Sequence, residues 1–464
     1  MTCACAHHKR SPEHYPGAVS HAHQTPDVTA PTSDPLSTNG RIPSPAPVTG
    51  PVVGVIGGGQ LARMMGPAAT ELGVELRVLA EAPDSCAIPA AASHTVGDYR
   101  DLATLLSFAD GVDVITFDHE HVPNEHLEAL LTAGVAVEPR PAALVHAQDK
   151  IVMRRAVEKL GLPNPRWAAV KSVEDLVSFA DGTWPIVLKT PRGGYDGKGV
   201  LVVPSESEAR NGTAAAWFAE SGFDHLLAEE AVPFTRELSA LVARTPSGEV
   251  RSWPVVESIQ VDGVCDEVLA PAPDLDPEVE RAAESAARTL ATELGVTGVM
   301  AVELFDVPGR GFLVNELAMR PHNSGHWSMD GAVTGQFEQH LRAVLDLPLG
   351  DTGLLGRATV MKNVLGGQNA DLFSGFTRVM SSVPEAKVHL YGKGVRPGRK
   401  VGHVNTTATN TDSEVGSEAA PGPDAEPGQH HQDRVGQTFA VLRARARAAA
   451  DMLRDGATDA SPVG

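Results

Sequence analysis

Glu303 and Glu316 stand out first, in the stretch VMAVELFDVPGRGFLVNELAMRPHNSGHW that runs from Val299 to Trp327. Val299, Ala301, Val302, Leu304 and Phe305 read as one buried strand and Gly311 to Val314 as the next. Val307-Pro308-Gly309-Arg310 is the turn between them. The two carboxylates then sit on adjacent strands, with the amide oxygen of Asn315 beside them. Hard oxygen ligands of this kind suit Mg²⁺, which keeps some water and takes substrate phosphates as its remaining ligands. Arg320, His322, Asn323 and His326 follow at once, a dense set of donors suited to holding a small anion while charge develops. A surface hairpin with two solvated Glu is the ordinary alternative, and the His-Asn-Ser-Gly-His-Trp run argues against it.

The elements that must position these groups can be read upstream. Pro185 to Val203 holds two apolar strands around the loop Gly193-Gly194-Tyr195-Asp196-Gly197-Lys198-Gly199, with Lys189 at the end of the first strand. No G-x-x-x-x-G-K-[ST] can be drawn through it and a strand follows, so it is not a Walker A loop. It reads instead as a flap over a nucleotide's phosphates, with Lys189 reaching their oxygens. A lysine ending a buried strand is costly without an anionic partner. The strand His225 to Ala228 leads into Glu229-Glu230-Ala231-Val232, an edge that can face an adenine, and Glu237 follows as an acceptor for ribose hydroxyls. On the helix DKIVMRRAVEKLGLP, Lys150, Arg154 and Arg155 read as a mostly solvated face.

Further upstream, Val52 to Ile56, the turn Gly57-Gly58-Gly59-Gln60-Leu61-Ala62, a helix, the strand Leu76 to Ala80 and the strand Val112 to Phe117 give a βαβαβ pattern of Rossmann type. The turn fits G-x-G-x-x-A and Glu81 follows at about the twenty-residue distance of a dinucleotide fingerprint. Gln60 and Leu61 in the turn argue for a smaller ligand than NAD. Asp118 and Glu120 sit at a strand's C-terminal end, where open α/β sheets bind ligands, or else cap the helix from Asn124 to Leu131.

The whole chain sets bounds on these readings. Its 464 residues allow roughly three domains, and 42% hydrophobic content comes without an apolar run long enough for a bilayer. The N-terminal segment lacks the apolar core of a secretory signal. Four cysteines give no disulfide framework, which fits a reducing cytoplasm. Cys3, Cys5, His7 and His8 are metal-ligand types, read here as chance composition. A net charge of −20 argues against a general nucleic-acid surface. Residues 1–49 read as a disordered extension and Thr407 to Asp433 as an insertion of the same composition. Val435, Phe439, Leu442, Ala446, Ala449 and Leu453 then mark an amphipathic helix with Arg on its outer faces.

The order of parts, with GGGQLARMM, LKTPRGGYDGKG, GVMAVELF, NELAMRPHNSGHW and YGKGVRPGRKVGH, resembles the ATP-grasp superfamily. Within it, the chain is most similar to the 5-(carboxyamino)imidazole ribonucleotide synthase family of purine biosynthesis. That resemblance implies an α/β and α+β fold. After the extension 1–49 come a Rossmann-like N-terminal domain over 50–147, a two-lobed ATP-grasp domain over 148–350 and a small C-terminal domain over 351–456, interrupted at 407–433. It implies that Lys150, Lys189, Gly194, Tyr195, Asp196, Gly197, Lys198, Gly199, Glu229, Glu230, Ala231, Val232, Glu237, Asn315 and Glu316 hold ATP. Glu303 and Glu316 would hold Mg²⁺. Tyr195, Asp196, Arg320, His322 and Asn323 would form the bicarbonate and carboxyphosphate pocket.

Gln60, Leu61, Glu120, Lys393, Arg396 and Arg399 would meet the aminoimidazole ribonucleotide. The last three also make sense as a basic loop in an acidic chain, a local anion site by type. The family usually has Arg where Lys150 stands, often Glu-Phe-Glu where Asp118-His119-Glu120 stands, and often an Asn-x-His pair where Ser258 and Gln260 stand. The expected activity is ATP-dependent carboxylation of 5-aminoimidazole ribonucleotide with bicarbonate. It comes with Mg²⁺, without biotin or NAD, without nucleic-acid or membrane partners, and in a homodimer. Another ATP-grasp carboxylate-amine ligase and a non-catalytic nucleotide-binding protein are the alternatives.

Overall fold

The protein is described from a computed structural model, which covers residues 50–194, 198–408 and 427–456. Five parallel strands, β1 (Val52–Ile56), β2 (Glu75–Ala80), β3 (Ser93–Val96), β4 (Val114–Phe117) and β5 (Ala136–Val137), form the first sheet in the order β3-β2-β1-β4-β5. Val53, Val55 and Ile56 are wholly buried, as expected for a central strand covered on both faces. The sequence reading found β1, β2 and β4 but missed two strands. β3 reads Ser-His-Thr-Val and is mostly exposed, and β5 is two residues long, so neither carries an apolar signal.

The second sheet is antiparallel, with β6 (Trp167–Val170), β7 (Ile186–Lys189), β8 (Val200–Val203) and β9 (Leu226–Glu230) in the order β6-β9-β7-β8. Lys189 pairs with Val200, so the flap loop closes a hairpin.

The third sheet holds nine antiparallel strands: β10 (Arg236–Arg244), β11 (Val250–Ser252), β12 (Val256–Val261), β13 (Val264–Ala270), β14 (Gly298–Val307), β15 (Gly311–Ala318), β16 (Ala358–Leu365), β17 (Lys387–Leu390) and β18 (Lys400–Ala408). Its order is β15-β14-β10-β12-β13-β16-β18-β17, with β11 beside β10. The C-terminal strands β16 to β18 therefore extend the same sheet through the pairing of β13 with β16.

The last helix, Pro427–Asp455, buries Phe439, Leu442, Ala446 and Leu453. From that outer face, Arg443 and the half-exposed Arg447 reach the wholly buried Glu267 on β13. A buried carboxylate needs such partners. β18 runs through Ala408 and the helix backbone starts at Pro427, so structure enters both ends of the segment read as an insertion.

The first and third sheets are joined through His340. Val299 N–H donates to its Nδ1 at 3.0 Å, which leaves Nε2 to donate to Thr116 of β4 at 2.8 Å. Burial pushes this imidazole down to about 3, so it stays neutral. Among the described residues no helix is long and apolar enough to cross a membrane.

Candidate active site

A cleft of about 1350 Å³ lies where the three sheets meet, and most of the residues singled out in the sequence line it. Its floor is the hairpin β14–β15. Glu303 and Glu316 are direct cross-strand partners, and the register shifts next to them so that Leu304 pairs with Val314. Asn315 is thereby an extra residue in β15, a bulge that re-aims side chains. Side chains alternate along a regular strand, yet neighbouring Asn315 and Glu316 both line the cleft. Glu237 and Ser239 of β10 occupy the same face, with Ser239 opposite Glu303.

These acids are crowded. Burial would raise the carboxyl of Glu303, but His322, whose Nε2 lies 3.2 Å from it, holds it below the usual range. Burial and then the charge of Glu303 push Glu237 up to about 7. Glu316 meets Lys150 Nζ at 3.0 Å. Two opposed carboxylates with an amide oxygen between them fit a divalent cation that takes its remaining ligands from water and phosphate. Among the described residues no group of three or more His, Cys, Asp or Glu is assembled for a metal.

Behind the floor lies a buried ion cluster. Lys189 Nζ meets Glu229 at 2.7 Å and Asn315 Oδ1 at 3.4 Å. Arg154 bonds the other oxygen of Glu229 at 2.5 Å, and its two NH groups donate to the carbonyls of Val314 and Asn315 at 2.6 and 2.8 Å. Burial opposes ionisation of Glu229, but Lys189 and Arg154 prevail and draw it down to about 2. The expectation of a solvated helix face fails at Arg154, which is fully buried and ties its helix to the bulge that carries Asn315. Nothing in its i, i+4 spacing from Lys150 distinguishes it from a surface cation.

Arg320, His322 and Asn323 form the wall opposite. Gln336 grips the loop on both sides of one residue: His322 N–H donates to its Oε1 and its Nε2 donates to His322 O, each at 2.9 Å. Ser324 N–H donates to His322 Nδ1, which leaves Nε2 as the protonated nitrogen facing Glu303. Arg320 Nε donates to Glu120 at 2.9 Å, across from the third sheet to the first.

At the far end, Gln60 Oε1 accepts from Lys393 Nζ at 2.6 Å, and Leu61, Glu120 and Arg399 line the same space. Asp118 does not cap the helix after it. It accepts from Ala62 N–H at 2.8 Å and so caps the helix Gln60–Leu72, packing so close to Gly59 that a Cβ there would lie 2.0 Å from its Oδ2. Glu81 is likewise occupied, by Gly58 N–H at 3.1 Å and by His119 at 3.1 Å, and this bond to His119 draws its carboxyl to about 2.

Of the nucleotide-side residues, Gly194, Lys198, Glu230, Ala231 and Val232 line the cleft, whereas Gly199 and, at the other end, Arg396 are not among its lining residues. Tyr195, Asp196 and Gly197 lie outside the described residues. Phe234 and Phe305, stacked at 4.6 Å, give the nucleotide end an apolar wall with the exposed Val200 and Val202. The sequence reading had assigned Phe305 to the core.

The ribonucleotide synthetase preATP-grasp domain family matches residues 51–148, the ATP-grasp domain family residues 155–337, and the phosphoribosylaminoimidazole carboxylase C-terminal domain family residues 359–415. N5-carboxyaminoimidazole ribonucleotide synthase of Corynebacterium ammoniagenes is 52% identical over 370 residues, 78% of this chain and 89% of that protein. The crystal structure of the synthetase from Thermus thermophilus superposes with a TM-score of 0.70 at 39% identity, over 78% of this chain and 94% of that one. The synthase of Aspergillus clavatus, solved with ADP and 5-aminoimidazole ribonucleotide, gives 0.71 at 31% identity, over 79% and 96%. The chain therefore belongs to the N5-carboxyaminoimidazole ribonucleotide synthase family and is an ATP-grasp ligase.

Proposed function

We propose that this cleft carboxylates 5-aminoimidazole ribonucleotide, using ATP to activate bicarbonate, with domains spanning 50–147, 148–350 and 351–456. The observation that carries the reading is the opposition of two sites in one cleft. The Glu303–Glu316 floor and the Lys189 cluster lie on the nucleotide side, and Gln60, Lys393 and Arg399 lie on the other, with Arg320, His322 and Asn323 between them.

Mg²⁺ held by Glu303 and Glu316 would neutralise charge on the triphosphate as the γ-phosphoryl group moves. Lys150 and Lys189 hold phosphate oxygens, Val232 and its neighbours hold the base, and Glu237 receives the ribose. Arg320, His322 and Asn323 bind bicarbonate in line with the γ-phosphoryl group, so that attack yields carboxyphosphate and ADP. The carboxyphosphate breaks down to CO₂ and phosphate, and the exocyclic amine of the ribonucleotide captures the CO₂. Lys393 and Arg399 anchor the ribonucleotide phosphate, Arg396 adds its charge from outside the cleft lining, and Gln60, Leu61 and Glu120 face its ring. Tyr195 and Asp196 complete the bicarbonate pocket, from which water must be excluded because both intermediate and CO₂ are lost to it.

The cation, bicarbonate, the lack of biotin and NAD, a cytoplasmic location and a homodimer belong to this same proposal. A coupled assay of ADP release, omitting bicarbonate and ribonucleotide in turn, tests it. Release that depends on both supports the reading, and release indifferent to the ribonucleotide contradicts it.

A further inference from the structure

Behind the Arg320–His322–Asn323 wall, three imidazoles from three segments form a column. The ring of His326 stacks on that of His403 at 4.8 Å and 22°, and His403 stacks on His389 at 4.6 Å and 19°. Phe337 lies against the His326 end, and Tyr391 closes the side with its hydroxyl 2.9 Å from His403 Nδ1. His326 and His403 are fully buried, and burial pushes both well below the ordinary imidazole range, so the rings stack as neutral groups.

The column joins two parts of the cleft. His326 belongs to the loop that carries Arg320 and His322, and its Nδ1 bonds Gln336, the same amide that grips the His322 backbone. His389 and His403 lie on β17 and β18, the two strands that flank the loop of Lys393 and Arg399. More bonds clamp the same two segments. Asn405 Nδ2 donates to His326 O at 3.0 Å and to Asp330 at 2.7 Å, and Asp330 also meets His389 Nε2 at 2.7 Å. Among the described residues, the buried His326 Nε2, His403 Nε2 and Asn405 Oδ1 find no partner, so an apolar core would serve stability better, and what the bonds that are made contribute is one fixed arrangement. Here the fixed quantity is the position of the basic loop relative to the bicarbonate wall.

We propose that the His326–His403–His389 column is a positioning element of the carboxylation step, holding the Lys393–Arg399 loop in register with the Arg320–His322–Asn323 wall so that CO₂ is released facing the amine. The inference rests on the functional reading above. None of the three rings is asked to touch substrate; each acts through the loop it supports.

The test uses the full-length protein with His403→Phe, which keeps an aromatic ring in the stack but removes the bond to Tyr391, and Tyr391→Phe, which removes the same bond from the other side. The readouts are the KM for ribonucleotide, the KM for ATP, the melting temperature, and the ADP released per carboxylated product. We expect the ribonucleotide KM to rise about tenfold, the size of one lost hydrogen bond, with the ATP KM unchanged and ADP release exceeding product. Should His403→Phe fail to fold, Tyr391→Phe decides alone. A lower melting temperature with both KM values unmoved or raised together, and ADP still matching product, overturns the positioning role. If the unsubstituted protein shows no ribonucleotide-dependent ADP release, it is the functional reading that fails instead.

Discussion

Arg320 and Glu120 are bonded at 2.9 Å across the junction of the first and third sheets. Burial works against the guanidinium charge, but Glu120 beside it raises the pKa of Arg320 above its ordinary value. The glutamate predicted to face the ribonucleotide is thus also the anchor of the arginine predicted to hold bicarbonate. Removing one partner of a buried, hydrogen-bonded charge pair costs about 2–5 kcal/mol, mostly by leaving the other unpaired. Glu120→Ala should therefore lower kcat by a factor on the order of a hundred, with Glu120→Gln intermediate because it keeps an acceptor. Steady-state kinetics measure this, and a change confined to the ribonucleotide KM would separate Glu120 from Arg320.

Arg154 and Glu229 make a stability prediction. Arg154→Met should cost about 3–5 kcal/mol in urea unfolding, because it removes one of the two cations that hold the buried Glu229 and leaves the carbonyls of Val314 and Asn315 without their donor. Arg154→Lys should recover little of it, since a single ammonium cannot reach both Glu229 and the carbonyls of Val314 and Asn315. The carboxyl of Glu229 falls from 4.5 to about 2 on folding, so its contribution is complete above pH 4.5 and is lost as pH falls toward 2. Glu229→Gln should flatten that part of the acid limb. An unchanged acid slope would show that Glu229 is not what titrates there.

Arg399 and Arg396 lie three residues apart in one basic loop, but only Arg399 is among the cleft's lining residues. Arg399→Ala should raise the ribonucleotide KM by roughly ten- to a hundredfold, the value of one charged hydrogen bond, with little effect on ATP. Arg396→Ala should do much less. Equal effects of the two on the ribonucleotide KM would place the phosphate elsewhere.

The legible parts of the fold were those whose pattern is local. The apolar strands β7, β8, β9 and β14 and the glycine turn into Gln60 carry their signals in a few consecutive residues. β3 and β5 are too short and too exposed to do so. The continuation of the third sheet through β13 and β16 depends on pairing over a long sequence separation, which no single stretch encodes.

The site was legible as a set of residue types, yet their partners were not. Asp118 was open between ligand and cap, and the structure gives it to Ala62. Arg154 looked like a surface cation because its carboxylate, Glu229, is remote in sequence, and the pairing of the half-exposed Arg447 with Glu267 was hidden for the same reason. The bulge at Asn315, which brings two neighbouring side chains to one face, is a property of the paired strands and not of β15 alone.

The central claim is that Glu303 and Glu316, opposed across β14 and β15, hold the divalent cation on which phosphoryl transfer to bicarbonate depends. The most direct measurement is ribonucleotide-dependent ADP release by Glu316→Gln, which keeps the shape and removes the charge. A loss on the order of a hundredfold or more is predicted, since one ligand of a dication and the partner of Lys150 go together. Near-normal release at ordinary magnesium concentrations would contradict the account.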